Sequence, residues 1–116
     1  MELANRSDEE ILKVVDPIMD NLMAASTDID RDRHVRDFTD RIKNIVTEQY
    51  LQRVCVQYQT EKGYFTERQF VAIFRRPDSI AVVWRQKFSK KPGDYVAELV
   101  LVEQNCKYLV DHVMIF

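Results

Sequence analysis

The sequence predicts an α+β domain in which N-terminal helices pack on a curled four-stranded antiparallel sheet. Before Gly63, apolar residues recur with the three-and-four spacing of amphipathic helices. After Gly63, they alternate with other residues at the period of two that a half-buried strand requires. The chain has 116 residues, which is the length of one domain, and we expect residues 1–116 to form a single folded unit.

The composition is typical of a folded chain without a strong charge of either sign. Seventeen basic and 19 acidic residues give a formal net charge of −2, so no positive field is available to collect phosphates, and we expect no nucleic-acid partner. No apolar run has the length of a membrane span, and the first residues lack the basic and apolar segments of a secretory signal. We therefore expect no membrane contact and a cytoplasmic location.

The first predicted helix starts at a capping box formed by Ser7 and Glu10. An apolar stripe follows, made of Ile11, Val14, Val15, Ile18, Met19, Leu22 and Met23. Pro17 interrupts this stripe and lacks the N–H that a helix interior needs. The helix is therefore either kinked at Pro17 or begins only at Asp16.

Two further helical segments are predicted before the sheet. The apolar face of the first comprises Val35, Phe38, Ile42 and Ile45, and we expect this segment to fray between residues 39 and 44. Thr47 is a suitable cap for the second, and Gly63 a suitable stop. The apolar face of that last helix consists of Tyr50, Leu51, Val54 and Tyr58, with Cys55 beside it.

Four strands joined by three short turns predict an antiparallel meander. The bulkier face, which should receive the helices, carries Phe70, Phe74, Val82, Trp84, Phe88, Leu99 and Leu101. The opposite face carries Val71, Ile73, Val83, Val96, Val100 and Val102, which would be exposed in a monomer. Because exposed apolar surface of this kind usually marks an interface, we expect a homodimer formed through the sheet. The alternative is that the valines reflect only β-propensity in a monomer.

Three helices followed by a four-stranded meander resemble the cystatin-like α+β roll, and within it the nuclear transport factor 2-like superfamily. The similarity extends from about Ile18 to the end of the chain. It is carried by the segments 30–38, 46–51, 63–64 and 79–84, the last of which resembles the central strand of the family. The superfamily contains enzymes, binding proteins and dimerisation modules, so the resemblance implies a fold and leaves the function open.

Enzymes of this superfamily use a carboxylate or histidine base together with tyrosine or aspartate hydrogen-bond donors, all desolvated inside the roll. If this chain is such an enzyme, the resemblance implies a similar set of residues. The candidates in this sequence are His112, Tyr58, Tyr64, Trp84, Tyr95 and Tyr108. Strand alternation places His112 on one face with Tyr108, Val110 and Met114, and this is the acid–base candidate if that face looks at the helices. No matched acid–base pair is evident.

The sequence therefore predicts a non-catalytic domain that binds a protein partner or a small apolar ligand. The predicted ligand-binding residues are Tyr58, Trp84, Tyr95 and His112. The alternative is a small isomerase or dehydratase in which His112 is the acid or base. Because glycine-rich phosphate loops are missing, we expect no cofactor.

Three further groups favour structural roles. Asp28, Asp30 and Asp32 have the start of a calcium-loop spacing without its continuation, which predicts a capped loop with local ion pairs and no metal site. His34 lies on a charged helix face and is expected to be exposed. Cys55 and Cys106 are far apart in sequence and are expected to be free thiols.

Overall fold

The computed structural model describes every residue from Met1 to Phe116 and confirms the α+β class. After a 3₁₀ turn at Glu2–Asn5, the helices are α1 (Asp8–Thr27), α2 (Arg31–His34), α3 (Asp40–Ile45) and α4 (Glu48–Glu61). The strands are β1 (Phe65–Arg75), β2 (Ser79–Phe88), β3 (Tyr95–Gln104) and β4 (Lys107–Ile115). All neighbours are antiparallel and the strand order is β1-β2-β3-β4, as the meander requires.

Helix α1 begins at the predicted capping box. The Glu10 amide donates to Ser7 Oγ at 3.2 Å, and Ser7 Oγ donates to the Glu10 carboxylate at 3.2 Å. The helix then continues through Pro17 to Thr27, so the alternative in which it begins at Asp16 is wrong. The capping box fixes the start, and burial of the apolar stripe compensates for the hydrogen bond that Pro17 cannot donate.

The segment after α1 breaks earlier than the sequence predicted. It forms one turn at Arg31–His34 and a second helix at Asp40–Ile45, where fraying was expected. The intervening backbone bonds to β4: the Val110 amide donates to the Asp37 carbonyl, and the Thr39 amide donates to the Val110 carbonyl. These bonds to a strand edge require extended backbone, which interrupts the helix.

The core lies between α1 and the predicted face of the sheet. From α1 it contains Ile11, Val15, Met19 and Leu22, and from the sheet Ile80, Val82, Trp84, Ala97, Leu99, Leu101 and Val110. Trp84 is 2% exposed and Leu99 is fully buried, which confirms that the bulkier face is covered by helices.

Strand β1 departs from simple alternation. Phe70 pairs with Trp84, and Ala72 pairs with Val83, the residue just before Trp84 in β2. Two steps along β1 therefore correspond to one step along β2, so Val71 is an extra residue at this point. The shift places Ile73 on the helix side and Phe74 on the outer side, where 55% of Phe74 is exposed. The predicted faces of these two residues are therefore wrong, because the sequence pattern does not reveal the bulge.

None of the helices is both long enough and apolar enough to cross a membrane.

Candidate functional site

A groove of about 290 Å³ lies between α4, α1 and the end of the sheet. Fourteen of its 17 lining residues are hydrophobic, and the other three are Ser26, His34 and Lys62. The apolar lining includes Met19 and Leu22 from α1 and Val113 from β4. This size is close to the lower limit of small-ligand sites, and an apolar wall with a few polar groups is their usual composition.

The predicted apolar face of α4 forms one wall of the groove. Tyr50, Leu51, Val54, Cys55 and Tyr58 all line it, in the i, i+1, i+4, i+5, i+8 spacing of one helix face. The predicted cap is present, because the Tyr50 amide donates to Thr47 Oγ1 at 3.1 Å. Leu51 is buried, but Tyr50 and Val54 are each 38% exposed, so this wall is open to solvent on one side.

The end of α4 is fixed by Gly63. Its φ of +87° is left-handed, and a Cβ at this position would lie 2.3 Å from Ser89 Oγ. Only glycine satisfies both conditions, as expected for a residue that ends a helix. The turn at Gly63 leads directly into β1 and sets the distance between α4 and the sheet.

A buried polar cluster connects α1 and α4 inside the groove. Ser26 Oγ lies 2.8 Å from the Tyr58 hydroxyl and 3.3 Å from Cys55 Sγ. Burial raises the pKa of the Cys55 thiol and that of the Tyr58 hydroxyl. Both groups are therefore protonated at neutral pH, and the cluster acts as hydrogen-bonding groups and contains no activated nucleophile.

His34 is a groove residue, contrary to the exposed position expected from the sequence. Its Nδ1 atom is buried and has no hydrogen-bond partner. Its ring packs edge-on against Phe38 with a centroid distance of 5.3 Å. Burial lowers the pKa of His34 to about 4, so the imidazole is neutral at pH 7.

Lys62 lies at the opposite end of the groove beside an aromatic cluster. Its Nζ atom is 5.6 Å from the Phe88 ring centroid and 5.0 Å from that of Tyr95, both within cation–π range. The two rings meet edge to face at 5.1 Å, and Phe65 stacks on Tyr58 at 5.0 Å nearby.

The structure does not bring the four predicted ligand-binding residues together. Tyr58 lines the groove. Trp84 is buried in the core under α1, with the Arg68 guanidinium 5.2 Å from its ring. Tyr95 packs behind Phe88 and does not line the groove, although it contacts Lys62.

His112 lies on the outer face of the sheet with Met114, so its predicted place on the same face as Val110 is wrong and the condition for an acid–base role inside the roll is not met. Leu101 pairs with Val110, while the preceding residue, Val100, pairs with His112, so Asp111 is an extra residue in β4. Beyond this bulge the alternation is inverted, and His112 no longer shares a face with Val110. His112 Nε2 lies 2.8 Å from Glu98 Oε1 on that outer face. The alternative enzyme, with His112 as acid or base inside the roll, therefore lacks its catalytic group.

The bulge has a visible cause. Thr39 Oγ1 donates to Asp111 Oδ1 at 2.8 Å, and the Arg41 guanidinium donates to both the carboxylate and the carbonyl of Asp111. These contacts hold the extra residue outside the ladder, next to the backbone bonds at Val110. The sequence interval between Arg41 and Asp111 hides this interaction from local pattern analysis.

The aspartate-rich loop and the cysteines have the predicted structural roles. Arg33 pairs with Asp28 at 3.0 Å and with Asp30 at 3.7 Å, and Asp30 also caps α2. Cys55 is buried, Cys106 is exposed and both are free thiols.

Three groove residues, Ser26, His34 and Lys62, were not among the predicted site residues. Ser26 continues the α1 stripe four residues after Leu22, and Lys62 continues the α4 stripe four residues after Tyr58, so both could have been assigned to the groove by spacing. His34 carried no such signal, because its position depends on where α2 ends.

Comparisons with known proteins identify the fold but no family. No family model and no curated protein matches the sequence. Solved structures do match: a SEC-C motif-containing protein from Rhodopseudomonas palustris has a TM-score of 0.60 and 13% identity, over 84% of this chain and 74% of that one. A designed NTF2-like protein has a TM-score of 0.59 and 10% identity, over 89% and 96%.

A protein from Bdellovibrio bacteriovorus has a TM-score of 0.54 and 11% identity. The match covers 93% of this chain but only 40% of that longer one. At these identities the likeness concerns the backbone arrangement alone. The chain has an α+β fold similar to that of the designed NTF2-like protein.

Proposed function

We propose that this protein is a non-catalytic domain of the nuclear transport factor 2-like superfamily that binds a small apolar ligand in the groove between α4, α1 and β4. The observation that carries the proposal is a groove in which 14 of 17 lining residues are hydrophobic and one of the other three, His34, has a buried Nδ1 atom without a partner. A buried polar atom without a partner costs about 1–3 kcal/mol, and native proteins rarely retain one without a reason. His34 also lines the groove, and a rotation of its ring that presents this nitrogen to a ligand supplies that reason.

The chemistry of the other polar groups supports binding without catalysis. Cys55 and Tyr58 have raised pKa values and already hydrogen-bond Ser26, so neither is prepared to attack a substrate or to transfer a proton at neutral pH. The two free thiols support a reducing compartment, which fits the proposed cytoplasmic location.

A groove-filling substitution tests the proposal. Val54→Trp places a large ring in the groove, whereas Val56→Trp places the same ring on the same helix at a residue that is 49% exposed and outside the groove. Titration with decanol, followed by calorimetry, should show binding to the wild type and to Val56→Trp. We expect Val54→Trp to weaken it by at least about tenfold, which corresponds to a loss of about 1.4 kcal/mol.

Equal affinities of the two tryptophan variants would contradict the groove as the site, and so would the absence of binding to the wild type. Comparable circular dichroism spectra and unfolding midpoints for the two variants exclude misfolding as the cause of a difference.

We also propose that two copies associate through the outer face of the sheet. Across this face, one row of neighbours is Phe74, Ala81, Val100 and His112, and the next is Ala72, Val83, Glu98 and Met114. Phe74 is 55% exposed and Met114 is 51% exposed, so two of the largest apolar residues of these rows remain uncovered. A two-fold axis would place the same patch against itself.

Sedimentation velocity over a range of concentrations tests this association. The wild type should sediment as a dimer, and Phe74→Glu should sediment as a monomer, because a carboxylate would be buried in the interface. The control is Tyr64→Glu, since Tyr64 is 52% exposed and lies outside the outer sheet rows. A wild type that remains monomeric at the highest concentration would refute the dimer.

A further inference from the structure

The groove has a polarity that narrows the chemical class of its ligand, and this inference rests on the proposed binding function. We infer that the groove selects an elongated apolar monocarboxylate, with its carboxylate at Lys62 and its apolar chain extending along α4 toward His34.

The charge of the lining is entirely cationic at neutral pH. Lys62 is the only lining residue with a formal charge, because His34 is neutral and no aspartate or glutamate lines the groove. No carboxylate of the protein lies within 4.0 Å of the Lys62 ammonium, although the chain contains 19 acidic residues. A half-buried cation without a counter-charge attracts an anion more strongly than one in bulk water.

The aromatic neighbours hold the ammonium group at the mouth of the groove. The rings of Phe88 and Tyr95 form a corner around Nζ, and Phe88 is itself part of the lining. Cation–π contacts satisfy one side of the ammonium group and donate none of its three N–H groups to an acceptor. These donors remain available for a carboxylate, with little rearrangement of the side chain.

Helix α4 gives the groove its length and its two distinct ends. Lining residues extend from Tyr50 to Lys62, and twelve residues of helix correspond to about 18 Å. His34 belongs to the far end, because Arg31 in the same turn donates to the carbonyl of Val46, just before α4, at 2.9 Å. A long ligand therefore reaches from Lys62 to the His34 end, which a compact one cannot do, and a polar group at its far end can hydrogen-bond His34.

Because of the helix dipole, binding of the ligand carboxylate depends on the charge of Lys62. The C-terminal end of a helix carries a partial negative charge, and Lys62 is the C-cap residue of α4. An anion at this end is repelled by the helix carbonyls unless the ammonium group compensates for them. Removal of the Lys62 charge should therefore reduce binding of an acid and leave binding of an alcohol of the same chain length unchanged.

Calorimetric titration of the full chain at neutral pH with decanoate, decanol and decylamine tests the inference. Decanoate should bind most tightly and decylamine most weakly. Lys62→Gln should weaken decanoate about tenfold and change decanol less than about twofold, since an ion pair with charge-assisted hydrogen bonds is lost only for the acid. Lys91→Gln removes an exposed charge beside the same turn and should change none of the three affinities.

Two results would overturn the inference and leave the groove-binding function intact. One is a wild type that binds decanol as tightly as decanoate. The other is an equal loss of affinity for both probes in Lys62→Gln. Failure of all three probes to bind the wild type would overturn both proposals. Unchanged binding of decanol to Lys62→Gln also shows that this variant is folded.

Discussion

The two long helices contact the rest of the molecule in different ways. Helix α1 buries Ile11, Val15 and Met19 completely against the sheet, whereas α4 buries only Leu51 and Cys55. Val54 and Val56 of α4 remain 38% and 49% exposed. Because apolar burial is the main stabilising contribution to folding, α1 stabilises the fold, and α4 contributes less and leaves a groove.

Polar contacts and the chain connection hold α4 in place, mainly near its C-terminal end. The side-chain amide of Gln59 donates through Nε2 to the Thr27 carbonyl at 3.2 Å, close to the hydrogen bond between Tyr58 and Ser26. The Lys62 carbonyl accepts the amide of Lys90 at 2.9 Å from the β2–β3 turn. The N-terminal half of α4 lacks such contacts with the sheet, so the helix can adjust around a ligand with little loss of core packing.

Matched leucine truncations provide the largest test of this difference. Leu99→Ala should lower the free energy of unfolding by about 4 kcal/mol, because Leu99 is fully buried in the dry core and its removal creates a cavity. Leu51→Ala should lower it by about 2 kcal/mol, although Leu51 is only 3% exposed. The groove already lies beside Leu51, so truncation there enlarges an existing space.

Urea denaturation of both variants and the wild type measures the two values. Equal losses would mean that α4 is packed as tightly as α1, and the comparison between the helices would fail. A change in the m-value would indicate an altered denatured state and require a correction before the comparison.

The pH dependence of stability should identify His34 as a groove residue. The unfolded chain protonates His34 near its ordinary pKa of 6.5, whereas the folded protein binds that proton only near pH 4. The unfolded state therefore binds more protons between these values. Stability from this group is fully present above pH 6.5 and is lost as the pH falls toward 4, by about 3 kcal/mol.

The carboxylates of the protein titrate in part of the same range, so the informative quantity is the difference between wild type and His34→Gln. The difference in unfolding free energy should change between pH 6.5 and 4 and be constant above pH 7. Asn44→Ala, at an exposed residue of α3, should follow the wild type at every pH. A wild type and His34→Gln with parallel pH profiles would place His34 in water.

The sequence predicted the individual helices and strands more completely than the contacts between them. Local rules were sufficient for the capping box at Ser7, the α1 stripe, the four strands and the position of Gly63. The register shifts in β1 and β4 were beyond these rules. The one at Asp111 depends on Thr39 and Arg41, which are about seventy residues away in the chain.

The site was less predictable because it depends on these tertiary effects. Tyr58 lies on the predicted apolar face of α4 and lines the groove, since helical spacing determines the direction of its side chain. Strand alternation placed His112 on the same face as Val110, and the extra residue Asp111 separates the two. His34 was expected to be exposed, but it lines the groove. A space between two elements leaves no periodic signal in either of them.

Tyr58→Phe provides the smallest and most local test of how α4 is attached. Removal of the hydroxyl breaks its 2.8 Å hydrogen bond with Ser26 and should lower the free energy of unfolding by about 1 kcal/mol. Amide hydrogen exchange should accelerate in α4 more than in α1, because the lost bond joins α4 to the stable part of the fold. Tyr50→Phe is the matched control, since the Tyr50 side chain lies on the same helix and its hydroxyl has no hydrogen-bond partner. If exchange accelerates equally in α1 and α4, the two helices unfold as one unit, and the contrast between a stable α1 and a loosely attached α4 does not hold.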